Sequence, residues 1–156
     1  MPHDYCCSET DLVAKRPQGS LKVKDMADRT FISLDQDTLV AEAAKTLYEQ
    51  KGCSVIVTSN NHNAGRRIPI GIITKRDIIF RVVAQNRGPF KDTLKDIMSS
   101  PIVTVHSEKS PKEARDILKH KKINRLPVVD GDGQLVGILT TQMIVQKLPV
   151  DKMVEV

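Results

Sequence analysis

Gly71-Ile72-Ile73-Thr74-Lys75-Arg76-Asp77-Ile78 decides the fold of this chain, because its first half returns further on as Gly137-Ile138-Leu139-Thr140. Working outward, Val23-Lys24-Asp25-Met26 matches Leu94-Lys95-Asp96-Ile97, Ile32-Ser33-Leu34 matches Val103-Thr104-Val105, and Glu42-Ala43 matches Glu113-Ala114. One register holds without a gap as far as Val57 on Val128. Only after it does the first copy carry extra residues, in Ser59–Arg67. Self-similarity of this length means one supersecondary unit used twice.

Each copy has the pattern β-α-β-β-α, and the fold class is α+β. In the first copy, Phe31–Leu34 is a short extended segment leading to the helix-start signal Asp37-Thr38. Val40, Ala43, Ala44 and Leu47 then share one helical face, and Gly52 is a stop signal. Val55-Ile56-Val57 is apolar throughout, as a buried strand requires. Ser59–Arg67, with three Asn, one His and one Gly, is a hairpin loop leading to a strand at Ile70–Ile73. The closing helix is expected over Lys75–Gln85, with Ile78, Ile79, Val82 and Val83 along one side.

The second copy repeats the order. A strand at Ile102–Val105 precedes a helix opened by Ser110 as N-cap and Pro111 at the first helical position, with Ala114, Ile117 and Leu118 on its buried face. Strand Leu126–Val129, turn Asp130-Gly131-Asp132-Gly133, strand Leu135–Leu139 and helix Thr141–Lys147 complete it. Neither copy buries its apolar surface alone, so two β-α-β-β-α repeats packed with pseudo-twofold symmetry are expected. The boundaries are a polar, mobile leader over 1–20, repeat 1 over 21–87, a linker over 88–93 punctuated by Gly88-Pro89, repeat 2 over 94–148 and a tail over 149–156.

The formal net charge of +5 permits a phosphate-bearing partner without identifying one. Nucleic acid is disfavoured: with three Phe, two Tyr and no Trp an aromatic stacking platform is hard to build. The densest basic run, Lys119-His120-Lys121-Lys122, is explained as a solvated helix end complementing the dipole. No apolar run reaches the roughly 20 residues of a membrane helix, and Met1–Ser20 lacks the apolar stretch of a signal peptide. A cytoplasmic protein is expected. Three cysteines make no disulfide framework, and Cys6-Cys7 lacks zinc-knuckle spacing. His106 and His120 have no partner at metal-ligand spacing. No Ser/His/Asp order, paired-acid context or Gly-rich phosphate loop is found, so an enzyme is the least supported class and no required cofactor is expected.

With the repeats in place, the chain resembles the cystathionine-β-synthase (CBS) domain family in its tandem, Bateman-module form. The resemblance is carried by the two lead-in stretches at Val23 and Leu94, by Asn124-Arg125-Leu126-Pro127-Val128-Val129-Asp130, and by Gly71 to Ile78, close to the family's Gly-hydrophobic-x-Thr-x-x-Asp signature. It implies a non-catalytic regulatory module for an adenosine-containing ligand: AMP, ADP or ATP, with S-adenosylmethionine possible. A homodimer is expected, and, with no effector domain attached, a separate target protein.

Thr74 and Asp77 have the spacing of a capping box. The resemblance adds that the Asp77 carboxylate accepts from both hydroxyls of a ribose, and the two roles can coexist. In repeat 2 the matching residues are Thr140 and Met143, so the carboxylate is missing. The resemblance also places a basic pair before the Leu-Pro-Val strand of one repeat on phosphate bound mainly by the other. Here that pair is Asn124 and Arg125, against Cys53 and Ser54 in repeat 1. An Arg fork suits phosphate oxygens, while a surface ion pair remains the plain alternative for Arg125. One competent cleft, combining Thr74, Asp77 and Arg125, and one degenerate cleft are therefore expected. Lys75 and Arg76 sit unfavourably near a helix N-terminus unless an anion is close, though simple solvation explains them equally. Ile72 and Thr30 are candidate purine walls, and Cys53 reads best as a small packing residue. Two other classes stay open: a nucleic-acid-binding module and a purely structural dimerisation module.

Overall fold

The computed structural model describes residues 21–61 and 66–147. Its helices are α1 (Val23–Met26), α2 (Val40–Glu49), α3 (Lys75–Ile78), α4 (Leu94–Ile97), α5 (Pro111–Lys121) and α6 (Thr141–Lys147). Its strands are β1 (Ile32–Asp35), β2 (Ser54–Asn61), β3 (Arg66–Thr74), β4 (Val105–His106), β5 (Arg125–Val129) and β6 (Leu135–Thr140). The described residues fall into two compact units, 31–102 and 21–30 with 103–147.

In the first unit the sheet order is β1-β2-β3. β1 runs parallel to β2, with Ile32 opposite Val55 and Leu34 opposite Val57, and a parallel pair needs a crossover, here α2. β2 runs antiparallel to β3, with Ile56 opposite Ile72 and Val57 opposite Gly71. Val40, Ala43 and Leu47 of α2 pack on Val55, Val57 and Ile73 in a closed core.

Four local expectations change. Asp37-Thr38 does not start α2: the N-cap is Leu39, without a side-chain bond. The amides of Val40 and Ala41 instead donate to the carbonyls of Asp92 (3.0 Å) and Pro89 (2.9 Å), so the linker supplies by tertiary contact what a capping side chain usually does. Gly52 does follow the end of α2 and donates its amide to the Leu47 carbonyl (3.0 Å), but the left-handed position comes one residue earlier. That position is Lys51 (φ 51°), matched by Lys122 (φ 55°) in the second unit, and a Cβ at Gly52 would strike Ile32 Cδ1. Ser59–Arg67 is not loop throughout, because β2 and β3 extend into it with Asn60 opposite Arg67 and Asn61 opposite Arg66. Finally, Lys75–Gln85 is not one amphipathic helix. After α3 the chain forms a π-helical turn, Ile79–Val83, whose wider winding breaks the three-and-four spacing. Val82 stays fully buried, but Ile79 and Phe80 are each 54% exposed and Val83 67%.

The second unit repeats the topology as β4-β5-β6. Val105 lies opposite Val128, and Val128 opposite Gly137. The register slip after Val57 recurs after Val128, an irregularity that both copies keep. The first strand is shorter and later than expected, Val105–His106 in place of Ile102–Val105. Ser110 caps α5 as expected: its hydroxyl accepts from the Glu113 amide (3.2 Å) and the Glu113 carboxylate accepts from the Ser110 amide (3.0 Å). The basic run closes α5 and ends in left-handed Lys122, where cations complement the helix dipole.

Repeats and packed units do not coincide. Val23 and Met26 of α1 are buried with Leu126, Val128 and Leu139 in the core of the second unit, whereas Leu94 and Ile97 of α4 are buried in the first. Each sheet is thus closed by the lead-in segment that precedes the other repeat in sequence. The lead-ins dock by the same pair of backbone bonds. Asp28 and Ile138 exchange N–H···O bonds of 2.9 Å each, and Ser99 and Ile72 exchange bonds of 3.1 and 3.3 Å. This close approach explains both strand glycines. A Cβ at Gly137 would lie 2.9 Å from Ala27 Cβ and 3.0 Å from the Asp28 carbonyl oxygen; one at Gly71 would strike the Met98 side chain. In the second unit Lys22 and Lys24 both hold Glu108, the latter at 2.7 Å. Hydrogen bonding from Lys22 and then Lys24 lowers the Glu108 carboxyl to about 2.

Candidate ligand site

The site begins where β3 stops. Thr74 ends the strand and is the N-cap of α3; its hydroxyl accepts from the Asp77 amide (3.2 Å), and its own amide donates to Asp77 Oδ2 (2.9 Å). The capping box expected from the spacing is formed. It fixes the Asp77 carboxylate at a sheet edge with its side chain 21% exposed. Oδ1 faces the Arg81 guanidinium at 3.7 Å, longer than a hydrogen bond, and Arg81 Nη1 donates to the Ile97 carbonyl at 2.7 Å. Such a carboxylate can accept further hydroxyls on one oxygen while the other is held by the backbone.

Around it, Ile72 is partly buried and is bonded through its backbone to Ser99. Ser54 lies opposite Thr74 across the β2–β3 ladder. Lys75 and Arg76 are exposed, with the Arg76 guanidinium 5.2 Å over the Phe80 ring, so Arg76 has an aromatic partner rather than only solvent. Lys75 also donates its amide to the Cys53 carbonyl (3.2 Å). Cys53 is buried, but it is not simply a small packing residue. Its sulfur is disulfide-bonded, which the sequence did not suggest; Cys6 and Cys7 lie outside the described residues.

The remaining candidates belong to the second unit. Thr30 is not a bare wall: its amide and hydroxyl both donate to Asp28 Oδ1, at 2.8 and 2.6 Å. Asn124 is exposed, and its carbonyl caps Thr141 (3.0 Å), the counterpart of Cys53 and Lys75. Arg125 is half-buried and lies opposite Thr140. Met143 occupies the position of Asp77, buried in the core, with its amide donating to the Thr140 hydroxyl (3.2 Å). The capping threonine is thus kept in both units, and the carboxylate in one.

Sequence reading missed three participants: Arg81, Ile97 and Ser99. An acid and a base four apart on a helix, Asp77 and Arg81, are a readable signal; the other two follow only from docking of the lead-in. Among the described residues no His, Cys, Asp and Glu cluster could hold a metal ion, and no helix is long and apolar enough to cross a membrane.

Two βαββα units, each ending in a Gly-apolar-apolar-Thr strand that feeds a helix, define a tandem-repeat α+β module with a polar strand-end site. The chain belongs to the CBS domain family, whose profile matches residues 23–84 and 94–150. It is 36% identical over 130 residues to an uncharacterized protein of Methanopyrus kandleri, covering 83% of this chain and 64% of that protein. It is 36% identical over 116 residues to inosine-5'-monophosphate dehydrogenase of Korarchaeum cryptofilum, covering 73% of this chain and 21% of that enzyme. The chain therefore spans less than two thirds of the length of either relative. A solved CBS domain pair in complex with 5'-methylthioadenosine and S-adenosyl-L-methionine superposes with a TM-score of 0.68 at 27% identity, covering 82% of this chain and 95% of the other.

Proposed function

We propose that this chain is a non-catalytic regulatory module that binds an adenosine-containing ligand through the end of β3. Asp77 accepts from the ribose hydroxyls, Thr74 holds the sugar edge, and Ile72 lies against the base. AMP, ADP or ATP is favoured over S-adenosylmethionine, because a formal net charge of +5 suits a phosphate. Lys75, Ser54 and Cys53 flank the sugar end through the backbone contacts described above. Ligand occupancy biases one conformation of a cytoplasmic homodimer, and a separate target protein reads the difference.

One observation carries the reading: a partly exposed carboxylate fixed by the Thr74 cap in the first unit, against buried Met143 in the second. The adenosine moieties of the ligands named for the similar CBS pair support the ligand class. Calorimetric titration with AMP, ADP, ATP, S-adenosylmethionine and 5'-methylthioadenosine tests it. One site per chain, lost in Asp77→Ala, is expected. No binding of any of these at millimolar concentration, or unchanged affinity in Asp77→Ala, refutes it.

A further inference from the structure

Arg81 lies outside the residues assigned above to ligand binding, yet it touches both halves of the site. Its Nη2 is 3.7 Å from Asp77 Oδ1 and its Nη1 donates to the carbonyl of Ile97, the last residue of α4, at 2.7 Å. A carbonyl at a helix end has no intrahelical donor, so a charged donor is an effective partner there. Two residues beyond Ile97, Ser99 exchanges backbone bonds with Ile72, and Met98 lies over Gly71. A short chain of contacts therefore runs from Asp77 through one guanidinium to the lead-in lying against β3. Arg81 is placed by the π-helical turn Ile79–Val83, a form that recurs at functional sites. In the second unit, α6 is α-helical across Thr141–Lys147 and carries Met143 where Asp77 would stand.

We infer that Arg81 is the positioning residue of the site, clamping the Asp77 carboxylate and the lead-in 94–99 together, so that a ligand on Asp77 tightens the docking of that lead-in onto β3. The inference rests on the reading of Asp77 as the ribose acceptor. Ligand hydroxyls that order Oδ1 also order the guanidinium beside it, and the hydrogen bond of that guanidinium to the Ile97 carbonyl carries the effect to the lead-in. The planar fork matters, because one cation must serve two acceptors at fixed angles; an ammonium is a point charge.

The test uses 5'-methylthioadenosine and AMP as probes on wild type, Arg81→Gln and Arg81→Lys. Affinity is measured by calorimetry and amide hydrogen exchange at Ser99 and Ile72, with Val55 and Val57 as core references. In wild type the probe should slow exchange at Ser99 and Ile72. In Arg81→Gln affinity should fall about two- to fivefold, the order expected for loss of a partly exposed ion pair, and probe-dependent protection of Ser99 should vanish while Val55 and Val57 stay protected. Arg81→Lys should recover part of the affinity but not the Ser99 protection. Wild-type affinity and wild-type Ser99 protection in Arg81→Gln overturn this inference alone. Wild type that binds neither probe overturns this inference; the proposed function falls with it only if ADP, ATP and S-adenosylmethionine also fail to bind. Loss of Val55 and Val57 protection without probe in both variants shows Arg81 to be a purely structural residue and also overturns it.

Discussion

Gly137→Ala should unfold more easily than Gly71→Ala, although the two glycines are equivalent in the repeats. At Gly137 the new Cβ would sit 2.9 Å from Ala27 Cβ and 3.0 Å from the Asp28 carbonyl oxygen. Neither atom can swing away, so the lead-in must move off the strand by about 0.7 Å to regain ordinary van der Waals separation. That displacement stretches the two 2.9 Å bonds between Asp28 and Ile138 beyond normal hydrogen-bond length. At about 1 kcal/mol each, their loss comes to ~2 kcal/mol, within the range for overpacked cores. At Gly71 the two closest atoms, Met98 Sδ and Cγ, can rotate away, and only Met98 Cβ, at 3.0 Å, is held by the backbone, so a smaller loss of about 1 kcal/mol is expected. For a chain of this size these values mean falls of roughly 4–8 °C and 2–4 °C in Tm. Urea unfolding and thermal melts measure the stability, and exchange at the Ile138 amide shows where it is lost. Equal stability of Gly137→Ala and wild type, or a larger loss in Gly71→Ala, would refute the account of lead-in docking.

Other outcomes follow from particular contacts. Glu108 has its carboxyl lowered from 4.5 to about 2 by Lys22 and Lys24. A depressed acid stabilises the fold fully above its unfolded value and loses that contribution as pH falls from about 4.5 through 2. The Tm difference between wild type and Glu108→Gln should therefore be constant above pH 5 and shrink towards pH 2, and it should weaken in high salt; a difference unaffected by pH over that window contradicts the pairing. Ser110→Ala removes a formed cap and should cost about 1 kcal/mol, whereas Thr38→Ala should be nearly neutral in urea unfolding because linker carbonyls serve α2. Val82→Ala should destabilise by ~1–3 kcal/mol through lost burial and cavity formation, while Val83→Ala at an exposed position should stay within about 0.5 kcal/mol; equal losses would place the π-helical turn wrongly.

Legibility followed the range of the forces involved. The helix at Ser110-Pro111 could be read residue by residue because its cap is local, closed within Ser110 to Glu113. The Thr74–Asp77 box was readable for the same reason, and so was its failure at Met143. The start of α2 was misjudged because its partners, Pro89 and Asp92, lie far along the chain. The Lys75–Gln85 helix was misjudged because apolar spacing cannot distinguish an α-helix from one that widens after its first turn.

Sequence alone therefore determined the repeated βαββα plan, the CBS family and the carboxylate held by one repeat and not the other. These depend on short-range spacing and on comparing the chain with itself. Only the tertiary structure decided which lead-in closes which sheet, why Gly71 and Gly137 must be glycine, and that Arg81 joins Asp77 to Ile97. Each of these is a contact between segments distant along the chain, fixed by burying Val23 and Met26 in one core and Leu94 and Ile97 in the other. Periodicity says that a face will be buried, but not against what.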